Sequence, residues 1–118
     1  MSNKAKIVFV LPEGLQKDLK EQLIKDGYDL KAKSRWISEA LLNLFTMKNY
    51  IELVKLSDEM SGFKKSESVL VDKSIKSNIN SAVVNIRQIY PTLEGVQSRI
   101  MRTAIMQRLL CGYSVTEY

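Results

Sequence analysis

Lys6-Ile7-Val8-Phe9-Val10-Leu11-Pro12 is the stretch on which the fold turns. Its β-branched and aromatic residues, with a polar flank, suit a short pleated strand. Pro12 has no amide to donate to a neighbouring strand and a fixed φ suited to the first turn of a helix, so the strand ends there. Leu15, Leu19 and Leu23 follow at the spacing that lines one helical face, which predicts a helix from about Glu13 to Asp26. Gly27 offers a left-handed C-cap, and Ser34 an N-cap for a second helix. The stripe Leu44, Met47, Ile51, Val54 predicts that this second helix continues well into the following segment, until Ser61-Gly62 breaks it.

The same pattern recurs further along. Ser34-Arg35-Trp36-Ile37-Ser38-Glu39-Ala40-Leu41-Leu42-Asn43 aligns with Ser98-Arg99-Ile100-Met101-Arg102-Thr103-Ala104-Ile105-Met106-Gln107, 64 positions later. Upstream, Leu15, Leu19 and Leu23 align with Ile75, Ile79 and Val83, 60 positions later, so the second copy carries four extra residues between its helices. The 60-residue offset brings Ser66-Glu67-Ser68-Val69-Leu70-Val71 into register with the first strand, followed by Asp72 as a helix N-cap. Helices are predicted from about Lys73 to Tyr90, closed by Pro91, and from about Ser98 to Leu110, closed by Gly112. The chain divides into a first unit over residues 1–45, a connecting helix or linker over 46–65, and a second unit over 66–112, all within one domain of 118 residues.

A lone short strand leaves its hydrogen-bonding edge open and is unstable in water. Two such strands in one chain, each followed by two helices, can pair as an antiparallel ribbon backed by four helices. The run Lys6 to Pro12, with Leu15 and Leu19 and then Ser34, Ile37 and Leu41, resembles the ribbon-helix-helix family, to which the Arc and methionine repressors belong. The second copy departs from the pattern: Asp72 stands for the proline, Glu67 falls on the nominally buried strand face, and Arg108 replaces the apolar Leu44. These departures leave two registers, one residue apart, open for the second strand. The resemblance implies a mainly α fold with a two-stranded antiparallel ribbon, in which tandem units make one chain a pseudo-dimer. The fused form resembles the tandem ribbon-helix-helix proteins that assist conjugative plasmid or T-DNA transfer.

Composition narrows the function. No histidine is present, Cys111 is the single cysteine, and the glycines are isolated, so an imidazole base, a zinc set and a phosphate-cradling glycine loop are all missing. No serine sits in a glycine-flanked nucleophile elbow. The expectation is a non-enzyme that uses no cofactor or metal. Met1 to Lys6 is polar, without the apolar stretch of a secretory signal, and no run of about 18 apolar residues could span a bilayer, so the expected location is cytoplasmic, away from membranes. A net charge of +5 and a pI of about 9.4 favour a polyanionic partner.

Because side chains alternate along a strand, Ile7, Phe9 and Leu11 facing the helices would turn Lys4, Lys6, Val8 and Val10 outward, with Lys64, Ser66, Ser68 and Leu70 in the second copy. In a major groove, lysine can donate to guanine O6 and N7, serine can donate or accept, and an aliphatic side chain can meet a thymine methyl. Lys4, Lys6, Val8, Val10, Ser66, Ser68 and Leu70 are therefore the candidate base contacts. The competing reading buries Val8 and Val10 in an ordinary core strand. Lys33, Ser34, Arg35, Lys64, Ser98 and Arg99 are the candidate phosphate contacts, because a helix start offers unpaired amides and arginine adds a charge-assisted fork. For Ser34 and Ser98 the bland reading is simple N-capping, and for each arginine a solvated surface charge.

Trp36, aligned with Ile100, reads as helix packing rather than a base-stacking platform, and Met101 and Met106 read as core filler. The stretch Lys48 to Met60 mixes charge with an apolar stripe, which suits a connecting helix or a protein contact. The expected function is sequence-specific double-stranded DNA binding as a transfer accessory protein, with a transcriptional repressor of the same fold and a helical protein-interaction module as alternatives. Other DNA-transfer proteins are candidate partners, and further assembly on DNA is left open.

Overall fold

The computed structural model describes residues 3–29, 32–57 and 64–111. The order is β1 (Lys4–Pro12), α1 (Glu13–Lys25), α2 (Lys33–Phe45), α3 (Tyr50–Leu56), β2 (Lys64–Asp72), α4 (Lys73–Ile89) and α5 (Val96–Cys111). The strands form a two-stranded antiparallel sheet with Val8 opposite Ser68 and Lys4 opposite Asp72. This register settles the one-residue ambiguity. Val8 and Ser68 are themselves equivalent under the 60-residue offset, so the repeat closes on itself at the middle of the ribbon.

The inner face of the sheet carries Ile7, Phe9, Leu11, Val69 and Val71, all buried. They share one apolar cluster with Leu15, Leu19 and Leu23 of α1, Trp36, Ile37, Leu41 and Leu44 of α2, Ile75 and Ile79 of α4, and Ile100, Met101 and Ile105 of α5. Helix α2 packs mainly against α5, so the equivalent second helices of the two repeats form the central helix pair. On α4 the buried stripe runs through Ile75, Ile79, Ala82 and Ile86, while Val83 is only half-buried. Of the two methionines expected in the core, Met101 is fully buried and Met106 is partly buried at its margin.

Pro12 stands at the cap position before α1, and Asp72 holds the same place before α4 with nearly the same backbone angles. Asp72 makes no side-chain cap, contrary to the sequence reading. Its carboxylate instead takes the ammonium of Lys4 at 2.8 Å, and the amide of Lys73 donates to the carbonyl of Asn3. Gly27 ends α1 as expected: at φ 84° it lets Tyr28 N–H reach the Leu23 carbonyl and its own N–H the Ile24 carbonyl, a closure that L side chains rarely adopt.

The long second helix is a correction. Helix α2 stops at Phe45 and a separate short helix, α3, begins at Tyr50. Thr46 turns its hydroxyl onto the Asn43 carbonyl at 2.6 Å, a local bond that competes with helix continuation. The Tyr50 ring then meets Phe45 edge-on at 5.6 Å, folding α3 back so that Val54 is buried and the helix packs against α5. The expected break at Ser61-Gly62 lies outside the described residues, as does the expected closure at Gly112. Helix α5 starts at Val96, after Gly95 at φ 63°, two residues earlier than the sequence suggested.

Cysteines introduced at Val8 and Ser68 are expected to crosslink within one molecule, since directly opposed strand residues have Cβ atoms roughly 4.5–5.5 Å apart. Electrophoresis after treatment with a short thiol crosslinker checks this. A product of twice the chain mass in place of a crosslinked monomer would mean that strands are exchanged between chains.

Candidate nucleic-acid interface

The outer face of the ribbon is built by the side chains that alternation places there. Lys4, Lys6, Val8 and Val10 of β1 and Lys64, Ser66, Ser68 and Leu70 of β2 are all exposed. Val8 at 52%, Val10 at 37% and Leu70 at 53% exposure exclude the reading of an ordinary core strand. The charges on this face differ in their engagement. Lys4 is paired with Asp72, and Lys65, at the rim, lies 3.6 Å from Glu13. Lys6, opposite Leu70, has no carboxylate partner among the described residues.

The starts of α2 and α5 flank the ribbon. Helix α2 begins at Lys33, where Asp29 accepts the Ala32 amide through its carboxylate at 2.9 Å, and α5 begins after Gly95. Ser34 and Ser98 are therefore inside the first turn and do not cap, contrary to expectation. Their hydroxyls serve the ribbon instead: Leu70 N–H donates to Ser34 Oγ at 3.2 Å, and Val10 N–H donates to Ser98 Oγ at 3.3 Å. The two bonds are equivalent under the repeat, and each joins a helix of one unit to the strand of the other. They satisfy edge amides that would otherwise be open to water or to a foreign strand.

Equivalent grooves lie between each ribbon edge and each helix start. One is lined by Lys4, Ser34, Arg35, Ser38, Leu70 and Asp72; the other has Lys64, Ser98, Arg99, Arg102 and Val10 in the matching positions, with Glu94 added. Arg35 is exposed and lies over the Tyr28 ring, 4.6 Å from its centroid. Arg99 is half-buried and donates to the Glu94 carbonyl from Nε and to the Ser57 and Lys55 carbonyls from Nη1, at 3.2, 2.6 and 3.4 Å. The last two carbonyls belong to the end of α3.

Beneath the ribbon, Lys33 is drawn inward to Glu67, with Nζ 2.6 Å from the carboxylate, and Gln16 also donates to it. Burial pushes the Glu67 carboxyl up, but the hydrogen bonds from Lys33 and Gln16, with the charges of Lys33 and Lys20, outweigh it and hold the group below the usual glutamate range. The stabilisation from this contact is present above the unfolded pKa of glutamate and is lost as pH falls through the depressed one. In the other repeat the matching residues exchange roles: Gln97 donates to the Val8 carbonyl at 2.9 Å and accepts from Lys76 at 3.5 Å. A Lys–Gln clamp thus grips the ribbon from each side.

Gln16, Gln97, Glu94 and Tyr28 had no sequence signal beyond polarity, because their roles depend on partners far along the chain. Trp36 is wholly buried and donates from Nε1 to Asp26 at 2.8 Å, so its packing role is the one observed. Among the described residues no cluster could hold a metal, and no helix is long and apolar enough to cross a membrane.

The fold and this surface define a class in general terms: helices backing a two-stranded antiparallel ribbon whose outer face is mixed polar, basic and aliphatic. Compared with protein-family models, curated proteins and solved structures, the chain matches none.

Proposed function

We propose that the chain is a sequence-specific double-stranded-DNA-binding protein of ribbon-helix-helix type, in which two fused units act as a pseudo-dimer and lay the ribbon in the major groove. The observation that carries this reading is the exposed, unfilled outer face of the ribbon with the two helix starts beside it. A two-stranded ribbon fits a groove about 12 Å wide, and Lys6, Val8, Val10, Ser66, Ser68 and Leu70 offer donors, acceptors and methyl contacts at its floor. The exchange of serine–amide bonds between the units and the self-closing register support the pseudo-dimer.

The net charge of +5 supplies the non-specific attraction to phosphate. The role proposed is that of an accessory protein in plasmid or T-DNA transfer, in the cytoplasm and with other transfer proteins as partners, because the fused form resembles proteins of that kind. A repressor of the same fold would bind by the same chemistry. Finding whether the sequence selected from a random duplex pool lies at a transfer origin or at a promoter separates the two.

Lys6→Ala tests the reading head. It is expected to cost about 1–3 kcal/mol on the selected duplex and to relax preference at one base pair, with a smaller effect on random duplex. Unchanged sequence preference in this variant, measured by competition binding, would remove the ribbon from the reading role.

A further inference from the structure

We infer that the two flanks of the ribbon do unequal work, Arg35 being the phosphate anchor and its repeat-equivalent Arg99 a strut that ties the α5 flank to the end of α3. The inference rests on the DNA-binding reading and adds to it which side of the site is held. Arg35 and Arg99 follow equivalent serines at equivalent helix starts, so a symmetric surface would use them alike. Their surroundings differ. Arg35 is exposed, and its guanidinium carbon lies over the Tyr28 ring at 4.6 Å from the centroid. Tyr28 is itself held: its hydroxyl donates to Glu39 and accepts from Arg108. An arginine with its long side chain fixed on a platform loses less entropy on meeting a phosphate than one that must be ordered.

Arg99 faces the opposite situation. Its Nε and Nη1 donate to three main-chain carbonyls, two of them, those of Lys55 and Ser57, at the end of α3. Arg102, buried beside it, donates to the Ser57 hydroxyl at 3.4 Å, so two cations of α5 meet this terminus. Each groove has one acidic residue in its lining, Glu94 here and Asp72 in the other. Drawing Arg99 onto DNA would uncap α3. Asp72 lines the Arg35 groove, but it is neutralised by Lys4.

The test uses the full chain, a random-sequence duplex and a titration of monovalent salt. Arg35→Ala is expected to lower the log–log salt slope by about one unit, since each neutralised phosphate contributes roughly 0.9, while thermal unfolding changes little. Arg99→Ala is expected to keep the slope and to unfold at a lower temperature. Arg99→Lys guards against outright misfolding: a strut loses its multiple carbonyl contacts and melts earlier with the slope intact, whereas an anchor keeps both slope and melting temperature because the charge remains. On the selected site, phosphate ethylation should interfere on the flank contacted by α2 and spare the other. Equal slope losses for Arg35→Ala and Arg99→Ala, or interference symmetric about the site, would overturn the inference while leaving DNA binding in place. A wild-type chain with no salt-dependent binding to duplex would overturn the DNA-binding reading, and the inference with it.

Discussion

Trp36→Ala is expected to remove about 3–5 kcal/mol of stability, the largest effect of any single truncation in this chain. The indole is wholly buried in α2, against α5, and carries the biggest side chain of the core. Alanine would leave a cavity, remove the hydrogen bond from Nε1 to Asp26, and remove the ring over which Arg108 lies at 4.4 Å. A small domain is typically stable by only about 5–15 kcal/mol, so a loss of this size is a large fraction of the whole. Trp36→Phe keeps most of the apolar contact and loses the hydrogen bond, and should fall between. Urea unfolding followed by circular dichroism measures both; a loss below about 1 kcal/mol for Trp36→Ala would show that the core around α2 and α5 closes up without the ring.

The second large effect is expected at Arg108, the cation that takes the place of Leu44 in the other repeat. It is buried, donates to the Trp36 carbonyl at 2.8 Å and to Glu39 at 3.1 Å, and reaches Tyr28 Oη at 3.5 Å. Glu39 is well exposed, so the ion pair is screened and most of the contribution comes from packing and from the hydrogen bonds to the carbonyl and the phenol. Arg108→Ala should cost about 2–4 kcal/mol through lost packing and stranded acceptors. Arg108→Leu, which copies the residue of the first repeat, should cost less than Arg108→Ala, because it loses the same hydrogen bonds but keeps apolar packing against Trp36. Equal losses for the two variants in thermal unfolding would show that the charge, and not its volume, is required there.

What the sequence revealed and what it concealed follow from the range of the forces involved. Pro12 and the Leu15, Leu19, Leu23 stripe act within a turn or two, so the strand end and α1 could be read directly, and the 60-residue offset then placed β2 and α4. Alternation along the strand named the outer face before any pairing was known. Ser34 and Ser98 misled because capping statistics are local, whereas their acceptor role is set by amides 36 and 88 positions away. The stripe through Met47 and Ile51 kept helical spacing across a real break, since α3 buries a face of its own and the spacing cannot register the turn at Thr46. Arg99 matched Arg35 in the alignment, but the Tyr28 ring under one and the Glu94 carbonyl and end of α3 beside the other are contacts that no comparison of the two repeats contains.

The Lys–Gln clamps beneath the ribbon bear on how such a chain can change. Where two identical strands make a ribbon, every substitution is made twice, and a glutamate at the position of Glu67 would meet its own copy on the neighbouring diagonal of a closed face. In one continuous polypeptide the glutamate occurs once, and Gln16 and Lys33 need answer it on one side only. Each half is thereby released from compatibility with itself and bound to compatibility with the other. Mutational drift in this molecule should leave correlated pairs across the ribbon, such as position 67 with position 33, and few matched changes at equivalent positions.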